Sequence, residues 1–132
     1  MMVEINNLTT VSVDEKFLKK VVKKVFKKEK KEKAELSIAL VGRGRIRELN
    51  KKYRKKNRAT DILAFPGDGL GEIVICLREV KKNAKKYKAS FEKELARVLI
   101  HGLLHLLGYN HEKSEKAAQK MEEKQNYYLE KI

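Results

Sequence analysis

The stretch His101-Gly102-Leu103-Leu104-His105-Leu106-Leu107-Gly108-Tyr109-Asn110-His111 constrains this chain more than any other, because it holds all 3 histidines of the sequence. Residues four apart on a helix lie one above the other, so His101 and His105 point their rings at one spot from successive turns. Gly108 then supplies the positive φ with which helices commonly stop. The chain doubles back there, and His111 approaches the first two rings from the open side. Three imidazole nitrogens that leave a fourth position for water make the pattern of a catalytic zinc. A lone histidine on such a helix is usually a hydrogen-bonded core or surface residue. Three in this spacing, with the glycine in register, predict a bound metal, and an imidazole set favours Zn²⁺, one ion per chain.

The spacing H-x-x-x-H-x-x-G-x-x-H also matches the metzincin metalloprotease signature at each ligand and at the turning glycine. In those proteases the residue after the first histidine is a glutamate that serves as general base. Here it is Gly102, which neither takes nor gives a proton. The metal site is kept and the protease's base is not, which argues against peptide hydrolysis.

HGLLHLLGYNH resembles the H-G-x-x-H-L-x-G-Y-D-H motif of the YbeY family, bacterial single-strand-specific endoribonucleases of ribosomal RNA maturation. Two upstream segments are similar to that family as well. Tyr53 to Pro66 (YRKKNRATDILAFP) resembles its Y-R-x-K-x-x-x-T-D-V-L-S-F-P, and Leu70 to Cys76 (LGEIVIC) resembles its L-G-D-I-x-I-S. The likeness runs over residues 46–111. The departures are Asn110 and Glu72 for the usual Asp, and Ala64 and Cys76 for the usual Ser. Asn110 puts a carboxylate role at its own position in question and leaves the histidines untouched. The resemblance implies an endoribonuclease in ribosome biogenesis, with the arginine of its Y-R pair falling on Arg54.

Length and composition set the frame. At 132 residues the expectation is one domain over 1–132. The opening MMVEINN has no basic region followed by an apolar run, so it does not resemble a signal peptide, and no stretch approaches the length of a membrane span. One cysteine excludes an internal disulfide and suits a reducing compartment, so a cytoplasmic protein is expected. Lys and Arg number 32 against 18 Asp and Glu, a net charge of +14. Ion-pair networks of the kind found at high temperature need both signs. A one-sided excess instead suits a polyanionic partner, RNA above all, with ribosomal RNA or the ribosome implied by the resemblance.

The coarse order is mixed. Residues 3–5 read as a strand, and Ser12 to Glu15 as a capping box that opens a helix. That helix turns Phe17, Leu18, Val21, Val22, Val25 and Phe26 inward and a run of lysines outward. Its lysine face reads as solvated surface or, less simply, as RNA contact. Residues 35–41 form a strand, Gly42-Arg43-Gly44 a break, and 46–56 a helix with Ile46, Leu49 and Tyr53 inward. Residues 61–65 and 72–76 are strands, the second interior because it is apolar on both faces. The Pro66–Gly69 turn between them is either a plain hairpin or a place for a substrate backbone to approach. Helices follow over 77–88, with Val80, Ala84 and Tyr87 inward, then from the Ser90 cap through the histidines, then over 114–129 with Ala118, Met121, Gln125 and Tyr128 inward. This order predicts an α+β domain with one mixed sheet of about four strands and about five helices.

The chemistry expected is a zinc-activated water attacking a phosphodiester. Arg54 and His101 are the catalytic candidates, Arg54 because its planar fork matches two phosphate oxygens and keeps its proton. Arg58, Lys51 and Lys55 join Arg54 as phosphate contacts along a nearly all-positive helix. Asp61 and Glu72 are candidates to orient a histidine or accept a proton, or they cap strand and loop ends. Glu94 and Arg97 share the His101 side of the helix and read equally as an ion pair. Tyr53, Phe65 and Tyr109 stack bases or, more simply, pack the core. Two other functions stay open: a non-enzymatic ribosome-associated module whose zinc is closed structurally by Cys76, and a metal-dependent peptidase.

Overall fold

Alternation of burial along the strands decides which helix covers which face of the sheet. The computed structural model describes residues 2–132; Met1, the first residue of the stretch read for a leader, lies outside them. The elements are β1 (Met2–Asn7), α1 (Glu15–Lys28), β2 (Glu35–Val41), α2 (Arg43–Arg54), β3 (Ile62–Pro66), β4 (Gly71–Cys76), α3 (Leu77–Lys86), α4 (Phe91–Leu106) and α5 (Glu115–Glu130). The strands form one sheet in the order β1-β2-β4-β3. β1, β2 and β4 run parallel and β3 runs antiparallel beside β4. The expected α+β architecture of one mixed sheet and five helices is what forms.

On one face, Leu36, Ile38 and Leu40 of β2 and Ile73 and Ile75 of β4 meet Leu18, Val21, Val22, Val25 and Phe26 of α1 and the apolar side of α4. The alternate residues Val41, Leu63, Val74 and Cys76 meet Ile46 of α2 on the other face. β4 is therefore covered on both sides, the reason it reads as apolar throughout except at Glu72. β3 is one of the two edge strands, and Pro66 sits where a missing N–H costs nothing.

Three local expectations shift. Asp14, and not Ser12, caps α1, its carboxylate accepting from the Phe17 amide at 3.2 Å, where its charge also suits the helix N-terminus. α2 begins at Arg43 and not at Ile46: Gly42 is its N-cap and its carbonyl accepts from the Ile46 amide at 3.2 Å, so the two glycines read as a break belong to a helix start. Tyr53 and Tyr87, read as inward, are 55% and 60% exposed. Tyr53 lies in the last turn of α2, where it covers only the edge of Phe65, ring centroids 5.3 Å apart, and Tyr87 is the residue that ends α3.

α4 carries the largest buried stripe of the chain, from Glu94 to Leu104. Ser90 caps it by accepting from the Lys93 amide at 3.1 Å. Gly102 sets its height. A Cβ there would fall 2.5 Å from Ile62 Cδ1 and 3.3 Å from Ile73 Cδ1, so the glycine lets the helix lie directly on β3 and β4. At the far end Gly108 adopts φ +100, and the Tyr109 amide closes back on the Leu104 carbonyl at 3.0 Å. Among the described residues no helix is long and apolar enough to cross a membrane.

Candidate metal centre

The helical period and the glycine stop together bring the three histidines to one place. His101 and His105 stand one turn apart with their Nε2 atoms 3.2 Å from each other, and the ring of His111 lies 5.6 and 5.1 Å from theirs, centroid to centroid. One nitrogen from each of the three falls within 4.8 Å of the others. Nitrogens at zinc bond length in a tetrahedron stand about 3.3 Å apart, so the α4 pair already has that spacing and the exposed His111 ring needs only to swing inward.

The charge state suits ligation. Burial pulls the His101 proton affinity below its ordinary value, with charge on His111 and Arg97 adding to it and Gln125 and Asp61 opposing. His105 is pushed down to about 4, by burial first and then by His101, His111 and Arg54. Both rings are thus neutral near pH 7, the form that donates a lone pair. His101 Nδ1 lies 2.8 Å from Gln125 Oε1. An amide oxygen only accepts, so Nδ1 carries the hydrogen and the Nε2 lone pair faces the other rings. An all-imidazole set of this spacing fits a borderline ion such as zinc.

The centre opens into a cleft of about 470 Å³ that straddles the β3 edge, with α4 on one side and α2 on the other. Arg54, Lys56, Arg58 and Thr60 line the α2 side; His101, His105, His111 and Glu112 line the other. The Arg54 Nη2 donates to the Ala64 carbonyl of β3 at 3.1 Å, which holds the guanidinium over the edge strand. Buried Asn50 donates to the Arg58 carbonyl at 3.0 Å and so ties the loop after α2 to the helix. Lys51 and Lys55 are exposed on α2 and do not line the cleft.

The other sequence candidates disperse. Asp61 accepts from Asn83 Nδ2 at 3.3 Å and touches the histidines only through its charge. Glu72 projects to the α2 face of the sheet, into a groove lined also by Tyr53 and Phe65. Glu94 is buried and binds Arg97 through two bonds of 2.9 and 2.6 Å, an ion pair between helix neighbours. Cys76 lies buried on the α2 face among Val41, Ile46 and Val74, with burial pushing its thiol up; a shell closed by its sulfur is excluded because the sheet stands between. Of the three aromatic candidates, Tyr53 and Phe65 pair on that same face and the Tyr109 hydroxyl donates to Glu29 at 2.8 Å, so none lines the cleft. Beyond Pro66, the Pro66–Gly69 turn also stays clear of it, with Gly69 packed against Glu35 of β2.

Gln125, Glu112, Lys56 and Thr60 were not singled out by sequence. Gln125 did leave a signal, as the one amide in the stripe Ala118, Met121, Gln125, Tyr128. Asn110, the departure from the motif's Asp, accepts from the Glu112 amide at 3.0 Å, a task that an amide oxygen performs as well as a carboxylate.

Comparison with known proteins points one way. A family model described as Endoribonuclease YbeY matches residues 4–132. A protein of that name from Thermotoga neapolitana is 46% identical over 98 residues, which cover 73% of this chain and 66% of that one. One from Persephonella marina is 40% identical over 130 residues, covering 92% and 85%. The solution structure of a Thermotoga maritima protein, TM1509, superposes with a TM-score of 0.71 at 37% identity, over 98% of this chain and 87% of that one.

Proposed function

The chain belongs to the endoribonuclease YbeY family, and we propose that it is a zinc-dependent enzyme cutting single-stranded RNA in the maturation of ribosomal RNA. The observation that carries this is the convergence of three imidazoles on the wall of a cleft whose facing wall is arginine and lysine. His101, His105 and His111 would hold the ion. Bound there, zinc supplies a Lewis acid for a phosphoryl oxygen and a water of lowered pKa as nucleophile.

The chain's own residues do the rest. Arg54, braced on the Ala64 carbonyl, directs its remaining N–H groups at a phosphate and offsets the charge that grows there in the transition state. Lys56 and Arg58 draw the backbone along the cleft. Gln125 keeps the His101 proton on Nδ1, away from the centre. Glu112, with Oε1 4.0 Å from His111 Nε2, is the carboxylate of the cleft wall and the group there that can accept a proton. The cleft wall carries no tyrosine or phenylalanine, which supports recognition through phosphates more than through stacked bases. A ribosomal RNA substrate would put the reaction in the cytoplasm.

The rival readings lose their footing. Cys76 stands on the wrong side of the sheet to close a structural zinc shell, and Gly102 is packed where a protease would need its glutamate.

Purified protein assayed on unstructured RNA tests the proposal. Cutting is expected to stop with chelator, to return with zinc, and to be absent in His105→Ala. Metal-independent cutting that survives His105→Ala would overturn it.

A further inference from the structure

Two of the ligands ride on a buried helix, and the third does not. His101 and His105 are set by α4, whereas His111 lies in the connection to α5 with its side chain 43% exposed. Its ring has no hydrogen bond among those of the described side chains; the Glu112 carboxylate stands 4.0 Å from its Nε2. Something else must fix that segment if the three nitrogens are to meet, since a ligand on a loose loop loses the affinity that preorganisation provides.

Two residues before His111, the Tyr109 hydroxyl donates to Glu29 Oε1 at 2.8 Å. Glu29 is the residue that ends α1, far away in sequence. Its other oxygen accepts from the Tyr128 hydroxyl and from Lys124 Nζ at 3.3 Å, both on α5. Glu29 is only 12% exposed, so its charge is held by these three donors and not by water. Burial alone would raise its pKa, and the two hydroxyls and the ammonium outweigh burial and lower it. Lys124 and Tyr128 flank Gln125, which orients His101. The stretch of α5 that carries Gln125 thus also supplies two of the three donors that hold Glu29, and the third comes from the ligand loop.

We propose that Glu29 is a positioning residue for the metal centre, its carboxylate latching Tyr109 so that the loop presents His111 to His101 and His105. This rests on the reading of the histidine trio as a metal centre. Simple docking of α1 on α5 is the competing role, and it makes a different prediction. Tyr109 and Tyr128 each give one hydroxyl to the same carboxylate, but only Tyr109 lies on the ligand loop. As docking contacts the two hydroxyls matter alike and neither affects the metal. As a latch, only the Tyr109 hydroxyl does.

The test compares Tyr109→Phe with Tyr128→Phe, substitutions that delete one oxygen and keep the ring. Cobalt(II) affinity and its absorption spectrum are measured alongside amide exchange of residues 109–113 in the metal-free protein. Removal of a partner outside the ligand set commonly costs 10–100-fold in affinity, and about 10-fold is expected for Tyr109→Phe with an altered cobalt spectrum, against less than about twofold for Tyr128→Phe. Exchange over 109–113 is expected to quicken in Tyr109→Phe with or without metal. Equal cobalt affinities in the two variants, or unchanged exchange in Tyr109→Phe, overturns the latch. A wild-type chain that takes up no cobalt, while exchange still quickens in Tyr109→Phe, leaves the loop contact standing and overturns the metal-centre reading beneath it.

Discussion

α4 and α2 face each other across the edge strand β3, and they are embedded in opposite ways. α4 buries a continuous run from Glu94 to Leu104 apart from Arg97 and His101, whereas α2 buries only Ile46 and Asn50. Two of the three ligands thus stand on the core, and the cationic half stands on a helix whose surface is nearly all solvent. The difference follows from what each half has to do. A metal site needs its donors held within about half an ångström, which takes packed support. Phosphate contacts need charge and reach, which long side chains supply from an exposed helix.

The contrast breaks most visibly at glycines. Each helix has one: Gly102 in α4 is packed against Ile62 and Ile73, while a Cβ on Gly44 in α2 meets nothing within 4 Å. Gly102→Glu, which would restore the protease's glutamate, forces a side chain against the tips of Ile62 on β3 and Ile73 on β4. A loss of roughly 1–3 kcal/mol is expected, seen as a lower midpoint of the urea transition. Gly44→Ala should instead raise stability slightly, by at most about 1 kcal/mol. A Gly102→Glu protein with an unchanged midpoint would show that α4 is free to rise off the sheet.

Arg54→Ala tests the other wall. Loss of one preorganised donor to the growing phosphate charge is expected to lower kcat about 100-fold in an RNA cleavage assay. Because Arg54 is exposed on α2, the midpoint of unfolding and the zinc content per chain should not move. Arg54→Lys should recover only part of the rate, since an ammonium lacks the planar fork. A matching fall in zinc content would mean that the two halves are not independent.

The same embedding explains what was legible in the sequence. Where one face is buried and the other is wet, local pattern carries the answer: residues 35–41 emerge as β2, Ser90 caps α4, and the convergence of the histidines follows from helical spacing and Gly108, both local features. The reading failed where burial stops following the period. Tyr53 and Tyr87 keep the spacing but stand at helix ends, where they are exposed, and Gly42 and Gly44 read as breakers because nothing local shows that Ile46 anchors a helix around them. The partners of the site were the least legible. Gln125 reaches His101 and Glu29 reaches Tyr109 across long sequence separations, a relation that no window of sequence contains.

Acid should weaken the α4 half alone. His105 titrates near 4 in the folded chain against 6.5 for an ordinary histidine. Between those values the unfolded chain takes up a proton that the folded chain refuses, so stability is full above about pH 6.5 and falls as the pH drops toward 4. His101 adds to this in the same direction. Glu29, whose pKa is lowered, contributes stability that is lost only below the ordinary carboxylate range. Urea unfolding of the metal-free protein at a series of pH values, for the wild type and His105→Ala, separates the two: the stability of the wild type relative to His105→Ala should be constant above about pH 6.5 and fall as the pH drops from there toward 4. A difference that does not vary with pH would show that His105 is not held neutral by its surroundings.

The finest comparison lies within the cationic wall itself. Arg58 lines the cleft, and Lys51 and Lys55 do not. For a single strand, each phosphate contact adds about 0.7 to the slope of log affinity against log salt. Arg58→Gln should therefore lower that slope by about 0.7, measured by RNA binding in chelator so that no cutting occurs. Lys51→Gln and Lys55→Gln together should lower it by less than Arg58→Gln does alone, because charges outside the cleft meet the strand only through screened solvent. If the pair instead lowers it by twice the Arg58 value, the strand runs out of the cleft along α2. The exposed helix would then be a binding surface over its whole last turn and not merely the support for Arg54.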